Sequence, residues 1–376
     1  MTRTTYFLGA GASKAFGYPI TSEILPKIVQ RGKKVLARGT SGPVSASKKE
    51  LKELLEKLFP ALWRQPERDM PLITDLLTLL NNAIVTDTPV FIDDSEMSSH
   101  QRLRLRLEQG IVDALRPPYR RNSPPKLLRK FVDSLYPSDP GRTNESTVVS
   151  TNYDLSIEGL LYEATGSGAS GSVDSHEVAA RIDHGFTYRI PFASHSPLAT
   201  RPLDSKVGLY KLHGSLNLLR CAVCKCSFLN PLGDVSWRPF LYPRSKLNRC
   251  DYCGITPLKP VIVAPSFVRD VSELGLSEVW NAAYEALRAA HRWVFVGYSL
   301  PPEDYAIRSL LLRAYRFRTT KPEVKVIQRK NTEEDKEDKE KQHLMQRYRL
   351  LFENPKFHFD GFEAFIKSPP GSKPGN

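Results

Sequence analysis

The chain has no apolar run approaching the ~20 residues that a membrane-spanning helix needs, so no membrane partner is expected. Its first residues offer one early cation, Arg3, and then glycines, without the apolar stretch of a secretory signal. Cysteine is missing everywhere except between positions 221 and 253, where all five are found. That distribution argues against a disulfide framework. It points instead to a metal site in a reducing compartment, hence a cytoplasmic location. An aromatic-interleaved basic module is also missing, so the net charge of +13 implicates nucleic acid only indirectly. The same balance suits an enzyme that binds anionic substrates. Finally, the Gly9–Ser13 stretch lacks the third glycine of a dinucleotide fingerprint, because Lys14 stands in its place.

What is present is a soluble composition, 376 residues with 40% hydrophobic and 25% charged side chains. That is room for a core domain with one or two insertions. Thr4 to Leu8 reads as a short buried strand running into Gly9-Ala10-Gly11-Ala12-Ser13. A backbone without Cβ atoms at Gly9 and Gly11 turns sharply, and its N–H groups could cradle a phosphate. Gly17-Tyr18-Pro19 is irregular, and Thr21 or Ser22 caps a helix to about Arg31. Residues 31–49 read as an exposed loop. Leucine-rich stripes at helical spacing follow, at Leu51–Leu62, Leu72–Leu80, Leu103–Leu115 and Leu127–Leu135. We therefore expect a helical insertion over 22–136, within a core domain formed by 1–21 and 137–376.

From Thr147 strands alternate with helices. Strands are expected at Val148-Val149, Val207–Leu212, Pro260–Ala264, Trp293–Val296, Glu323–Ile327 and Lys356–Phe359. Helices are expected after Asp154, at Val279–Leu287, Ile307–Ala314, Leu344–Phe352 and Phe362–Ile366. Gly166–Ser175 reads as a loop, and 176–206 shows no clear period. The fold class is α/β, a Rossmann-like doubly wound parallel sheet. Four polar or glycine motifs fall at the C-terminal ends of strands, where such sheets bind ligands. They are Gly9–Ser13, Ser150–Asp154, His213–Ser215 and Gly297–Ser299.

Cys221-x-x-Cys224 and Cys250-x-x-Cys253 form two knuckles separated by 25 residues. Four thiolates so arranged complete a closed tetrahedral Zn²⁺ site, structural rather than catalytic, in a small ribbon over 217–259. Cys226 is the spare thiol, able to compete with Cys224 but expected to stay unligated.

The ordered motifs resemble the sirtuin superfamily. Gly9-Ala10-Gly11-Ala12-Ser13 matches its Gly-Ala-Gly-x-Ser loop, and Ser150-Thr151-Asn152-Tyr153-Asp154 its Thr-Gln-Asn-x-Asp motif at Asn and Asp. His213-Gly214 matches its catalytic His-Gly, and Gly297-Tyr298-Ser299-Leu300 its Gly-Thr-Ser-Leu type loop. Cys253-Gly254 and Leu258-Lys259-Pro260-Val261-Ile262-Val263 fit the end of its zinc ribbon with one extra residue. Two departures set the branch. Ile20-Thr21-Ser22 replaces the Asp-Phe-Arg that deacylases carry after Gly-x-Pro, and Ala264-Pro265-Ser266 replaces their Phe-Gly-Glu. The Thr-Asn-Tyr-Asp form and the Pro-rich continuation to Asp304 are similar to the sirtuin-like NAD hydrolases of prokaryotic antiviral defence.

The resemblance implies cleavage of NAD⁺ at the nicotinamide–ribose bond. It assigns His213 as general base, Asn152 to the ribose or a water, and Asp154 to the nicotinamide carboxamide. Gly9, Ala10, Gly11, Ala12 and Ser13 would hold the pyrophosphate, and Thr151, Gly297, Ser299 and Asp304 would complete the NAD⁺ pocket. It also implies a homo-oligomer and a partner protein from a defence system. The alternatives are an NAD-dependent lysine deacylase, kept in view by the zinc ribbon, and a scaffold that senses NAD⁺ or ADP-ribose. Asn152 and Asp154 have a further reading as the cap of the helix that follows them.

Overall fold

The computed structural model describes residues 3–30, 55–56, 59, 70–86, 97–119, 123–135, 146–165, 181–190, 198–202, 205, 207–229, 250–255, 258–263, 275–302, 304–329 and 334–367. The strands are β1 (Thr4–Leu8), β2 (Ser146–Ser150), β3 (Ile182–Asp183), β4 (Tyr188–Arg189), β5 (Leu198–Ala199) and β6 (Val207–Lys211). They continue as β7 (Gly214–Arg220), β8 (Ser227–Leu229), β9 (Lys259–Ile262), β10 (Arg292–Val296), β11 (Glu323–Ile327) and β12 (Lys356–His358). The helices of the first half are α1 (Ala10–Ala15), α2 (Thr21–Gln30), α3 (Ile73–Thr86), α4 (Met97–Ala114), α5 (Lys126–Leu135) and α6 (Ser156–Thr165). Those of the second half are α7 (Ser277–Ala289), α8 (Tyr305–Arg316), α9 (Glu334–Leu351) and α10 (Phe362–Lys367).

A seven-stranded sheet has the order β12-β11-β10-β1-β2-β6-β3, and all its pairings are parallel. Its strands are apolar on both faces, as a sheet covered on both sides requires. The two-residue alternation sorts them into two cores. Leu8, Val148, Val294 and Val296 point to one side, where they meet Leu25, Leu76, Leu107, Phe131 and Leu161. Phe7, Val149, Trp293, Phe295 and Val326 point to the other, against Leu287, Leu310 and Tyr348. Each fully buried large side chain contributes roughly 1.5–3 kcal/mol by area. The chain is thus a doubly wound α/β protein.

The leucine stripes in the first half form α3, α4 and α5 as expected, and their apolar faces join the first core. The Arg102–Arg106 alternation lies inside α4. Of the Leu51–Leu62 stripe, only Leu55, Glu56 and Phe59 fall within the described residues, and the loops expected at 31–49 and 166–175 fall outside them.

One element departs from the expected alternation. The strand expected at Pro260–Ala264 forms as β9, but it belongs to a second sheet, of order β5-β4-β8-β7-β9. It runs antiparallel to β7, a strand that the sequence reading did not include. The cause lies at Gly214, whose φ of +78° turns the chain straight out of β6 into β7. A Cβ there would stand 2.1 Å from the Val261 carbonyl oxygen, so only glycine permits the approach.

Candidate active site at the strand-order reversal

Strand pairing sets the last residues of five strands side by side. Ile327, Val296, Leu8, Ser150 and Lys211 are consecutive partners across the sheet. The next residue of each chain therefore emerges along one edge, and the expected motifs follow there. Strand order reverses between β1, which leads to β2, and β10, which leads to β11. Ligands of open α/β sheets bind in the crevice at such a reversal. A cavity of about 430 Å³ opens at that place. Its floor carries Ala10, Gly11, Ser13, Thr151, Asn152 and Asp154. His213, Gly297, Ser299 and Asp304 also line it. Helical segments around Ile20–Ile24, Leu72–Leu77 and Ile111–Leu115 form an apolar wall.

Two predicted contact residues stand back from the cavity. Ala12 is buried behind it, and Gly9 supports the turn from below. The glycines permit a close backbone crossing. A Cβ on Gly11 would lie 2.7 Å from the Gly297 Cα, and one on Gly297 would lie 2.2 Å from the Ala12 nitrogen. Backbone packs on backbone between the ends of β1 and β10. The Gly9 N–H donates to Val296 O at 3.0 Å, that of Gly11 to Gly297 O at 2.8 Å, and that of Ala12 to Gly9 O at 3.0 Å. These three N–H groups are already paired within the protein, and the chain enters α1 at once instead of forming an open loop.

The polar side chains form a directed chain. Asn152 Nδ2 donates to Gly9 O at 2.8 Å and to Ser13 Oγ at 2.8 Å. Gly9 O only accepts, so the amide orientation is fixed. Ser13 Oγ in turn donates to Asp154 Oδ2 at 2.6 Å. Asp154 Oδ1 accepts the Ser156 N–H at 3.1 Å, so Asp154 does support the start of α6. Its carboxylate is buried and holds Ser13 from behind. Both Asn152 amide hydrogens are committed, which leaves its Oδ1 as the group offered to a ligand.

His213 sits in the turn between β6 and β7 and is buried. Its carbonyl accepts the Val263 N–H at 2.9 Å, which ties the turn to β9. Its ring centroid is 6.4 Å from that of Tyr153, whose hydroxyl donates to Val263 O at 2.5 Å. Tyr153 thus packs and braces the turn. Asp304 accepts the Tyr298 hydroxyl at 2.7 Å and precedes α8. The turn after β10 is further held at Tyr298 O by Gln328 Nε2 and the Tyr348 hydroxyl, both at 2.8 Å. Leu300, at φ +51°, is a non-glycine residue in the left-handed region, so this turn carries strain.

The sequence reading missed the ion pair beneath the site. Lys211 Nζ lies 2.8 Å from Glu158 Oε1 and donates to Asp154 O at 2.6 Å. Burial pushes the Glu158 carboxyl upward, with Lys211 opposing. A lysine closing an apolar strand just before His213 was the available signal. At the rim, Lys14 is held by Glu23 at 2.6 Å, so its charge is largely neutralised.

Away from the cavity, Cys221, Cys224, Cys250 and Cys253 converge, their sulfurs all within 4.8 Å of one another. The Cys221–Cys253 and Cys224–Cys250 sulfurs are each 3.6 Å apart. A tetrahedron with Zn–S of about 2.3 Å requires about 3.8 Å between sulfurs. Each knuckle ends in a residue with positive φ, Lys225 at 59° and Gly254 at 68°. Leu219, Phe228 and Leu258 pack a small core around the cluster. The donor set fits a closed structural Zn²⁺, with Cys226 outside the group of four.

No family model matches the chain, and neither does any curated protein. Solved Sir2 structures align along most of it at low similarity. One, described under the mechanism and regulation of Sir2 enzymes, is 15% identical over 96% of this chain and 88% of its own, with a TM-score of 0.37. A Sir2 homologue mutant with 2′-O-acetyl ADP-ribose is 16% identical over 93% and 92%, with a TM-score of 0.37. A Sir2 complex with p53 peptide and NAD⁺ is 13% identical over 97% and 90%, with a TM-score of 0.37. The fold assignment rests on strand order and register, not on these alignments.

Proposed function

We propose that the chain is a sirtuin-type NAD⁺ hydrolase that releases nicotinamide and ADP-ribose. The observation that carries this reading is the meeting of Asn152, Ser13, Asp154 and His213 in one cavity at the strand-order reversal. In this reading water adds to the anomeric carbon of the nicotinamide ribose. The glycosidic C–N bond breaks with its electron pair going to nicotinamide, and the water proton passes to His213. Imidazole titrates near neutrality, which suits a group that accepts a proton and returns it to solvent. Asn152 Oδ1, as an acceptor, holds the water or a ribose hydroxyl. Ser13 and Asp154 fix Asn152, and the Lys211–Glu158 pair supports Asp154 from below. Gly297, Ser299 and Asp304 line the opposite end of the substrate.

The test is nicotinamide release from NAD⁺ by the purified chain without peptide. Release that disappears in His213→Ala supports the reading. Release only when an acetylated peptide is supplied would instead establish the deacylase, a reading that the four-cysteine ribbon keeps in contention. Loss of His213 and Asn152 together with no cellular consequence would favour a sensing scaffold.

We also place the activity in a triggered antiviral effector that acts as a homo-oligomer with a partner protein. Assaying NAD⁺ loss and particle mass together, with and without the product of the neighbouring gene, tests that assignment. Among the described residues no helix is long and apolar enough to cross a membrane.

A further inference from the structure

A second cavity, of about 740 Å³, adjoins the first at the C-terminal ends of β11 and β12. The two share Ser299, Gln328 and Arg329, so a ligand can run from one into the other. Arg329 leaves β11, while Lys341, His343 and Arg347 come from α9. Glu340 and Asp360 are the carboxylates on its lining. Among the described lining residues, three permanent cations thus exceed two carboxylates. Lys341 is held over the Phe359 ring, its Nζ 4.4 Å from the centroid.

The placement matters because it rests on the hydrolase reading above. His213 and Asn152 assign the nicotinamide end to the β6 and β2 side. The rest of the dinucleotide then crosses β1 and β10 toward β11. Four strand spacings of ~4.8 Å separate β6 from β11, a span of about 19 Å. The adenosine ribose therefore arrives beside Ser299 and Gln328, with the cationic cavity directly beyond it. In dinucleotide-binding sheets an acidic residue receives an unmodified ribose, and an arginine accommodates a 2′-phosphate. Here Gln328 and Arg329 are the residues that leave the strand. Arginine and lysine donate charge-assisted hydrogen bonds to phosphate oxygens.

We propose that this second cavity receives a 2′-phosphate on the adenosine ribose, so that the substrate class of the chain includes NADP⁺ and favours it over NAD⁺.

The first measurement is binding to the wild-type chain by calorimetry, with adenosine 2′,5′-bisphosphate, adenosine 3′,5′-bisphosphate and 5′-AMP as probes. The 2′,5′ compound should bind about ten-fold or more tighter than 5′-AMP, and tighter than the 3′,5′ isomer of equal charge. Equal affinity for the two bisphosphates would overturn the proposal, since the gain would then be unspecific attraction. The second is nicotinamide release from NADP⁺ and NAD⁺ by the wild type and by Lys341→Ala, an α9 side chain in the lining. The ratio of kcat/KM for NADP⁺ over NAD⁺ should fall several-fold in the variant, and an unchanged ratio would count against the site. Tight binding of the 2′-phosphate compounds without nicotinamide release supports this inference while overturning the hydrolase reading. Nicotinamide release with no advantage from the 2′-phosphate does the reverse.

Discussion

Acid should destabilise this protein through one histidine that takes no part in the proposed chemistry. His184 is buried between the rings of Tyr162 and Tyr188, at centroid distances of 6.1 Å and 5.7 Å. Its Nε2 has no hydrogen-bond partner among the described residues. It lines a cavity of about 20 Å³ with Glu158, Lys211, Ser215 and Asn217, room for about one water. The adjacent Asp183 carboxylate already serves Arg201, the Tyr210 hydroxyl and the Gly185 N–H. Burial, reinforced by Lys211 and opposed by Asp183, holds the imidazole neutral down to a pKa of about 4, against an ordinary 6.5. Between these values the unfolded chain binds the proton and the native state does not, so stability rises with pH. The contribution is fully present above pH 6.5 and is lost as pH falls toward 4. A shift from 6.5 to about 4 removes about 2 kcal/mol between pH 7.5 and pH 5, and about 3 kcal/mol at the acid limit. Glu158 is shifted upward and works in the opposite sense, so the wild-type slope is a sum. Comparison with His184→Phe isolates the histidine. Urea unfolding of both proteins from pH 7.5 to 4.5 should give curves that diverge by about 2 kcal/mol near pH 5, the wild type losing more. Parallel curves would refute the argument, because they would mean that His184 is not desolvated.

Gly297→Ala should unfold the chain or lower its midpoint sharply in thermal melts, by about 2–4 kcal/mol, because the new Cβ would fall 2.2 Å from the Ala12 nitrogen. Cys224→Ser should abolish bound zinc as measured by elemental analysis, whereas Cys226→Ser should retain one ion per chain; metal loss in both would redraw the ligand set. Lys211→Met should cost about 3–5 kcal/mol in urea unfolding by leaving the Glu158 carboxylate buried without its cation. The added change Glu158→Leu should restore much of that loss, and failure to do so would show that Lys211 acts mainly through Asp154 O.

The parallel sheet was legible because its strands are short apolar runs bounded by polar turns, and the alternation of strands with helices set its class. Phe7 and Leu8 illustrate why the signal was strong: both are buried, on opposite faces, so the strand reads as continuously apolar. The second sheet was not legible. Only Leu212 and His213 lie between β6 and β7, so no run of turn residues marks the end of one strand and the start of the next. β3, β4 and β5 are two residues long each, too short for any period to show. The mixed-charge run before Leu344 belongs to α9, which starts at Glu334. Its apolar residues are concentrated toward the C-terminal end, where Leu344 and Tyr348 meet the core.

The candidate site was legible as a set of residue types but not as a set of directions. Glycines spaced as in Gly9 and Gly11 fit either a phosphate turn or a close backbone crossing. The position of Gly297 opposite them, fixed by the pairing of Leu8 with Val296, shows that the close crossing is made. Asn152 likewise offers two donors and one acceptor in sequence. The fold consumes the donors on Gly9 O and Ser13 Oγ, and the acceptor remains. That direction has a chemical consequence. In the proposed hydrolase reaction, departure of nicotinamide would leave positive charge developing at the anomeric carbon. A carbonyl oxygen with partial negative charge stabilises that charge, whereas an N–H aimed at the same point would oppose it. The chain from Asn152 through Ser13 to Asp154 therefore sets the sign of the dipole presented to the cavity, with the buried carboxylate as the acceptor that orients the rest.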